Sequence, residues 1–239
     1  MKKILYSLII VLSFAACSID STYKQQYTTV ASFEYSNIDY GTQFGADSTF
    51  YDSQGRIGLA WGDLAFYHKV EETGSFTGGF MLSYLKPSGS GDKVEGYVPN
   101  KYRVVGPEVA ATNRTYAVFY QNPDPTAMPT HDLGFLSSAY GTCSLTCCWV
   151  NNSEAVFEAV KTLDKPMVKL RATGYLNKEE TGSTEIALVA DTTMYNWTMF
   201  NLAPLGYVDA VDFELITSHS SIPTYFCMDQ LVASIKIEY

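Results

Sequence analysis

Short runs of alternating apolar and polar residues, cut by clusters of Gly, Pro, Asn, Asp and Ser, recur along this 239-residue chain. Val168, Leu170 and Ala172 alternate with Lys169, Arg171 and Thr173. Val211, Phe213 and Leu215 alternate with Asp212 and Glu214, and Ile235 and Ile237 with Ser234, Lys236 and Glu238. Successive side chains of a β-strand point to opposite faces, so each run buries one face and wets the other. No long stretch keeps the period of an amphipathic helix. Further strands are expected over 29–33, 80–85, 102–105, 116–120, 144–150, 185–189, 197–201 and 225–228. One exception is Asn152-Ser153-Glu154, where a capping residue precedes the helix formers of 155–161 and predicts a short helix. The pattern predicts an all-β fold: a two-sheet antiparallel, jelly-roll-like sandwich with one short helix. A composition of 14% aromatic and 17% charged residues suits half-buried pleated surfaces and excludes disorder. With no internal repeat, and with loops at 87–92 and 122–125 too short to link domains, residues 28–239 are read as a single domain.

The N-terminus sets the compartment. Lys2 and Lys3 precede an apolar run over 4–16, too short to span a bilayer but of the length of a secretory leader. Phe14-Ala15-Ala16-Cys17 follows, which resembles a bacterial lipobox, with Phe14 where Leu is usual; residues 1–16 are expected to be removed and Cys17 lipidated. Processing leaves a net charge of about −11, so acyl chains rather than electrostatics must hold the protein to lipid. The polar stretch 18–27 reads as a tether. The expected location is the outer membrane, lipid-anchored at the cell surface. Nucleic acid is excluded as a partner, because no Lys/Arg cluster opposes the acidic excess.

Four cysteines remain: Cys143, Cys147, Cys148 and Cys227. Their spacing, without a nearby histidine, is not a zinc pattern. Two readings stay open: buried thiols packed as small apolar groups, or one disulfide from Cys227 to the 143–148 segment.

The C-terminal half has a recognisable order of elements: Leu188-Val189-Ala190-Asp191, Trp197, Asn201-Leu202-Ala203-Pro204-Leu205-Gly206, Val211-Asp212-Phe213-Glu214-Leu215 and Pro223-Thr224-Tyr225-Phe226-Cys227-Met228-Asp229. Upstream stand Gly78-Gly79-Phe80-Met81-Leu82-Ser83, Asn113-Arg114-Thr115-Tyr116-Ala117 and Val150-Asn151-Asn152-Ser153-Glu154-Ala155. This arrangement resembles the BtuH-like bacterial surface lipoproteins, a family whose best understood members bind vitamin B12. The resemblance implies a jelly-roll-like fold and a non-enzymatic role, capturing cobalamin or a related corrinoid for an outer-membrane transporter. The alternatives are a glycan-binding lipoprotein of a polysaccharide-uptake system, or a structural or adhesive surface protein with no small ligand.

Candidate site residues follow. Trp61, Tyr67 and His68 lie around a glycine-containing segment, with Tyr97 and Tyr140 in other expected loops; flat rings of this kind grip sugars and corrin faces. Trp61 stands before a Gly62-Asp63 turn, which puts it either at a sandwich edge or in the core. Glu34, early, and Asp229, late, match the carboxylate pair that holds a structural calcium in carbohydrate-binding jelly rolls; the alternative is that backbone N–H groups satisfy both. No catalytic cofactor is expected. His131 and Asp132 are neighbours on the chain, which points their side chains apart if the segment is extended, and no histidine lies in a hydrolase motif.

Overall fold

The structure is a computed structural model that describes residues 24–34, 44–54, 59–89, 96–107 and 115–238. Cys17, the leader before it and the tether up to residue 23 lie outside these residues. With strands numbered in chain order, one sheet holds β1 (Lys24–Ala31), β2 (Thr49–Phe50), β5 (His68–Val70), β6 (Phe76–Ser83), β7 (Tyr116–Tyr120), β9 (Gly141–Asn152), β12 (Thr198–Asn201), β13 (Tyr207–Val208) and β15 (Tyr225–Glu238). The second holds β3 (Leu59–Trp61), β4 (Leu64–Phe66), β8 (Leu133–Phe135), β10 (Val168–Leu176), β11 (Glu179–Val189) and β14 (Ala210–Thr217), in the order β11-β10-β14-β8-β4-β3. All pairings between these strands are antiparallel, so the expected all-β sandwich is the fold.

β15 is the spine of the first sheet. One edge pairs with β9, while the other pairs with β7 over its first residues and with β1 from Leu231 to Glu238. The tether therefore ends earlier than the sequence suggested. Lys24 to Tyr27 are strand, paired with Ile235 to Glu238, and they read as polar linker because this end of β1 is largely exposed. Residues 102–105 are not a strand either; they make one bridge, Val104 to Ser153, and cross the sheet as a strap. The expected helix is α1 (Glu154–Val160), with the Ser153 hydroxyl capping the Val156 amide.

The core lies between the sheets. Phe80, Phe119 and Phe226, side by side on β6, β7 and β15, meet Phe213 of the second sheet with ring centroids 5.7 to 6.1 Å apart. Their neighbours Met81, Val118 and Cys227 must face the other way, yet they too are buried. Residues 102–105, in the connection from β6 to β7, cover them. Ser83 Oγ donates to the Tyr102 carbonyl, Tyr116 Oη accepts from the Val104 amide, and Val104 and Val105 are buried. The first sheet is thus covered here on both faces, whereas the outer face of the second carries Arg171, Glu185 and Glu214 as exposed ion pairs.

The cysteines described are free thiols, which favours the packing reading. Burial pushes the Cys143 thiol up to about 12 and raises Cys148 and Cys227 further, so all three are inert as nucleophiles.

Candidate binding groove

The second sheet has a notch. β14 pairs with β10 along its length, but with β8 only at Ala210 and Val211. Beyond that, among the described residues, no strand lies against 212–217, and the outward backbone amides need other acceptors. Side chains supply them. Asp132 Oδ2 accepts from the Phe213 amide at 2.7 Å, and Gln121 Oε1 accepts from the Leu215 amide at 2.5 Å.

These two acceptors bracket the connection from β7 to β8, a loop set by its own sequence. Asn122 Oδ1 accepts from the Asp124 amide, and Asp124 caps a 3-10 turn at Pro125–Ala127 by accepting from the Thr126 amide and hydroxyl. Asn122 Nδ2 donates to the Thr77 carbonyl at 2.8 Å, tying the loop to β6. Gly78 lets it lie flat there, since a Cβ at that position would stand 2.4 Å from Met128 Sδ.

Between loop and notch runs an open groove of about 670 Å³. Its polar lining is Gln121, Asn122, Thr130, Asp132 and Asp212; its apolar lining is Pro123, Pro125, Met128, Pro129 and Phe213. Asp132 is 5% exposed, and burial, with the Asp212 charge adding to it, pushes its carboxyl up to about 8 against the pull of the Phe213 N–H. At neutral pH it is largely a neutral acid, able both to donate and to accept. Asp212 Oδ1 meets His131 Nδ1 at 2.9 Å, and the His131 ring lies 5.3 Å from that of Tyr175. His131 and Asp132 end on adjacent residues of β14, the first on the Asp212 carboxylate and the second on the Phe213 amide.

The five aromatic candidates do not converge on one site. Trp61 ends the edge strand β3, half-buried, its ring 6.2 Å from Phe33. Tyr67 lies over Gly134, where a Cβ would stand 2.6 Å from its hydroxyl oxygen. His68 is buried beside Tyr51 and Phe76, with Nε2 on the Asp52 carbonyl and Nδ1 without a hydrogen-bond partner; burial lowers its pKa. It is a core histidine rather than a ligand contact. Tyr97 belongs to the strap, donating to buried Glu154 and accepting from Arg103. Tyr140 is exposed before β9, where its carbonyl accepts from the Glu238 amide.

Glu34 and Asp229 lie at the same end of the β1–β15 ladder, as the calcium reading requires. Each, however, has a backbone N–H: Glu34 Oε1 accepts from Thr115 at 2.6 Å and Asp229 Oδ1 from Gln230 at 2.7 Å. Among the described residues no group of three or more His, Cys, Asp or Glu could hold a metal ion. The pair fits the backbone-satisfied alternative, and no role is derived for calcium.

The groove escaped the sequence because its two walls lie about eighty positions apart and the strand that stops short between them is a tertiary fact. The only local signals were the His131-Asp132 pair and the Asn/Pro/Asp loop.

No protein-family model matches the chain, and no curated protein does. Solved structures do. A DUF4465 family protein from Bacteroides caccae superposes with a TM-score of 0.56 at 21% identity, covering 87% of this chain and 98% of that one. A DUF4465 family protein from Bacteroides ovatus gives 0.52 at 14% identity over 90% and 100%. At these identities the likeness is one of fold. It also corrects the resemblance drawn from sequence: the structural neighbours are DUF4465 proteins, and the BtuH-like assignment is not supported. The quoted motifs are mostly framework, with Trp197, Phe213 and Phe226 packed in or against the core.

Proposed function

We propose that this chain is a lipid-anchored, extracytoplasmic binding protein that takes a neutral, polyhydroxylated ligand, an oligosaccharide, into the groove beside β14 and passes it to an outer-membrane transporter. The groove lining carries the reading. Amide and carboxyl groups of Gln121, Asn122, Asp132 and Asp212 face apolar Pro and Met surface, and sugar rings offer hydroxyls that both donate and accept together with apolar C–H faces. The Lys2-Lys3 leader and Cys17 support the anchored, exported location. The corrinoid alternative rested on the family resemblance, and no residue of the groove favours it.

A second reading, glycoside hydrolysis, is favoured by one observation: a carboxylic acid held neutral beside a second carboxylate, Asp132 beside Asp212. Against it, Asp132 Oδ2 is committed to a backbone amide.

The test is calorimetric titration of the Cys17→Ser protein with an oligosaccharide panel and with cyanocobalamin. Saturable heat with one glycan class, weakened at least about tenfold by Asp212→Ala, supports the groove. Heat with cyanocobalamin alone overturns the glycan reading, and reducing ends released during incubation replace binding by hydrolysis.

A further inference from the structure

The loop wall of the groove, residues 121–129, and the start of the described chain lie at opposite ends of β15. β15 runs from Tyr225, beside the groove through the Gln121 amide on the Thr224 carbonyl, to Glu238, which pairs with Lys24. Its fourteen residues span roughly 45 Å at the usual rise. Cys17 is seven positions before Lys24, so the intervening chain reaches at most about 25 Å. A bilayer that holds acyl chains on Cys17 therefore lies close to the Lys24 end.

That end carries three exposed large side chains: Leu136 at 46%, Tyr140 at 47% and Tyr207 at 60%. Each is fixed by its backbone to a neighbouring segment. The Leu136 amide donates to the Asp63 carbonyl, the Glu238 amide to the Tyr140 carbonyl, and Tyr207 pairs with Ser144 of β9. A shallow groove of about 430 Å³ opens among Ser138, Tyr140, Lys236 and Glu238. Three carboxylates at this end are engaged: Glu238 sits 3.4 Å from Lys24 and 2.6 Å from Lys236, Asp63 accepts from the Tyr27 and Ser137 hydroxyls, and Asp209 accepts from the Asn177 amide, while Glu179 and Glu180 stand exposed at the β10–β11 turn. Tyrosine and lysine are the side chains that place an apolar body in a lipid interface and keep a polar tip in water.

We propose that the end bearing Leu136, Tyr140 and Tyr207 rests on the phospholipid surface, standing the sandwich upright with the groove pointing away from the membrane. This depends on the anchored reading above. A short tether makes weak contacts sufficient, because it raises the local lipid concentration at this end.

The experiment uses the full chain, expressed with its leader in a host that processes lipoproteins, and the Cys17→Ser protein in solution. Mass spectrometry first asks whether Cys17 is acylated; if it is not, the anchored reading and this proposal both fall. The acylated protein is then reconstituted on phosphatidylethanolamine/phosphatidylglycerol vesicles and labelled with hydroxyl radicals. Labelling of Leu136, Tyr140 and Tyr207 should fall at least about fivefold relative to Cys17→Ser, with Met128 unchanged. Combining Leu136→Ser, Tyr140→Ser and Tyr207→Ser should leave the protein bound but no longer oriented, with Met128 now partly covered. Acylated protein whose three residues label as in solution, or whose Met128 is covered without those substitutions, overturns the orientation and leaves the anchor standing.

Discussion

The Asp132 carboxyl occupies the position that a continuing β8 would take beside β14, its Oδ2 accepting the Phe213 backbone amide at 2.7 Å. One side chain thus closes a sheet edge and lines the groove beside it. Its protonation state affects both.

Asp132 makes stability depend on pH. Its folded pKa, about 8, lies above the ordinary carboxylate value of about 3.9. The folded form holds the proton more tightly, so this contribution is fully present below the ordinary value and is lost as pH rises through 8. We expect the urea midpoint to fall between pH 5 and pH 9. Asp132→Asn, which keeps an acceptor for Phe213 and cannot ionise, should fall less; equal slopes would show that Asp132 does not titrate in this window.

Gln121 is expected to matter to stability as well as to binding. Gln121→Ala leaves the Leu215 amide without its acceptor at a buried position and should cost about 1–3 kcal/mol in chemical denaturation. A loss below about 0.5 kcal/mol would mean that water replaces the side chain.

The strap across the first sheet is fastened to Glu154. This fully buried carboxylate accepts from Tyr97 and from the Asn100 amide and lies 3.6 Å from Arg103. Glu154→Ala strands those partners and should cost about 3 kcal/mol, with Glu154→Gln costing clearly less. Proteolysis within 96–107 should speed up in the alanine variant.

Two glycines with positive φ separate conformation from crowding. At Gly62 (φ 58°) a Cβ meets nothing within 4 Å, so Gly62→Ala should cost only about 1 kcal/mol. At Gly106 (φ 85°) it would stand 1.9 Å from the Tyr195 carbonyl oxygen, and Gly106→Ala should cost about 3 kcal/mol or more because two backbone segments must separate.

Chelation distinguishes the two readings of Glu34 and Asp229. With both carboxylates held by backbone amides, excess EDTA should leave the melting temperature within about 1 °C. A fall of several degrees, restored by calcium, would reinstate the metal.

The strands with one wet face, such as Val168–Leu176 and Ala210–Thr217, were legible because alternation reports burial directly. The helix was legible because Ser153 caps it. Residues 102–105 differ: the apolar pair Val104 and Val105 reports burial, not whether a neighbouring strand exists to pair with them. His68 differs as well. A histidine among aromatics looks like a ligand-gripping ring until its neighbours Tyr51 and Phe76 prove to be its walls. For Trp61 the turn glycine leaves edge and core both open, and the side chain lies half-buried against the core at the end of edge strand β3.

The spine strand β15 is the last of the described strands in chain order. Its residues complete β9, β7 and β1 at once, so the first sheet has no central member until Glu238 has been synthesised. Its partners are among the most distant in the chain, with Lys24 waiting for Glu238, and such long-range closure is slow and leaves strand edges open meanwhile. Deleting β15 would leave β1, β7 and β9 without the partner they share, so the first sheet should not form without it.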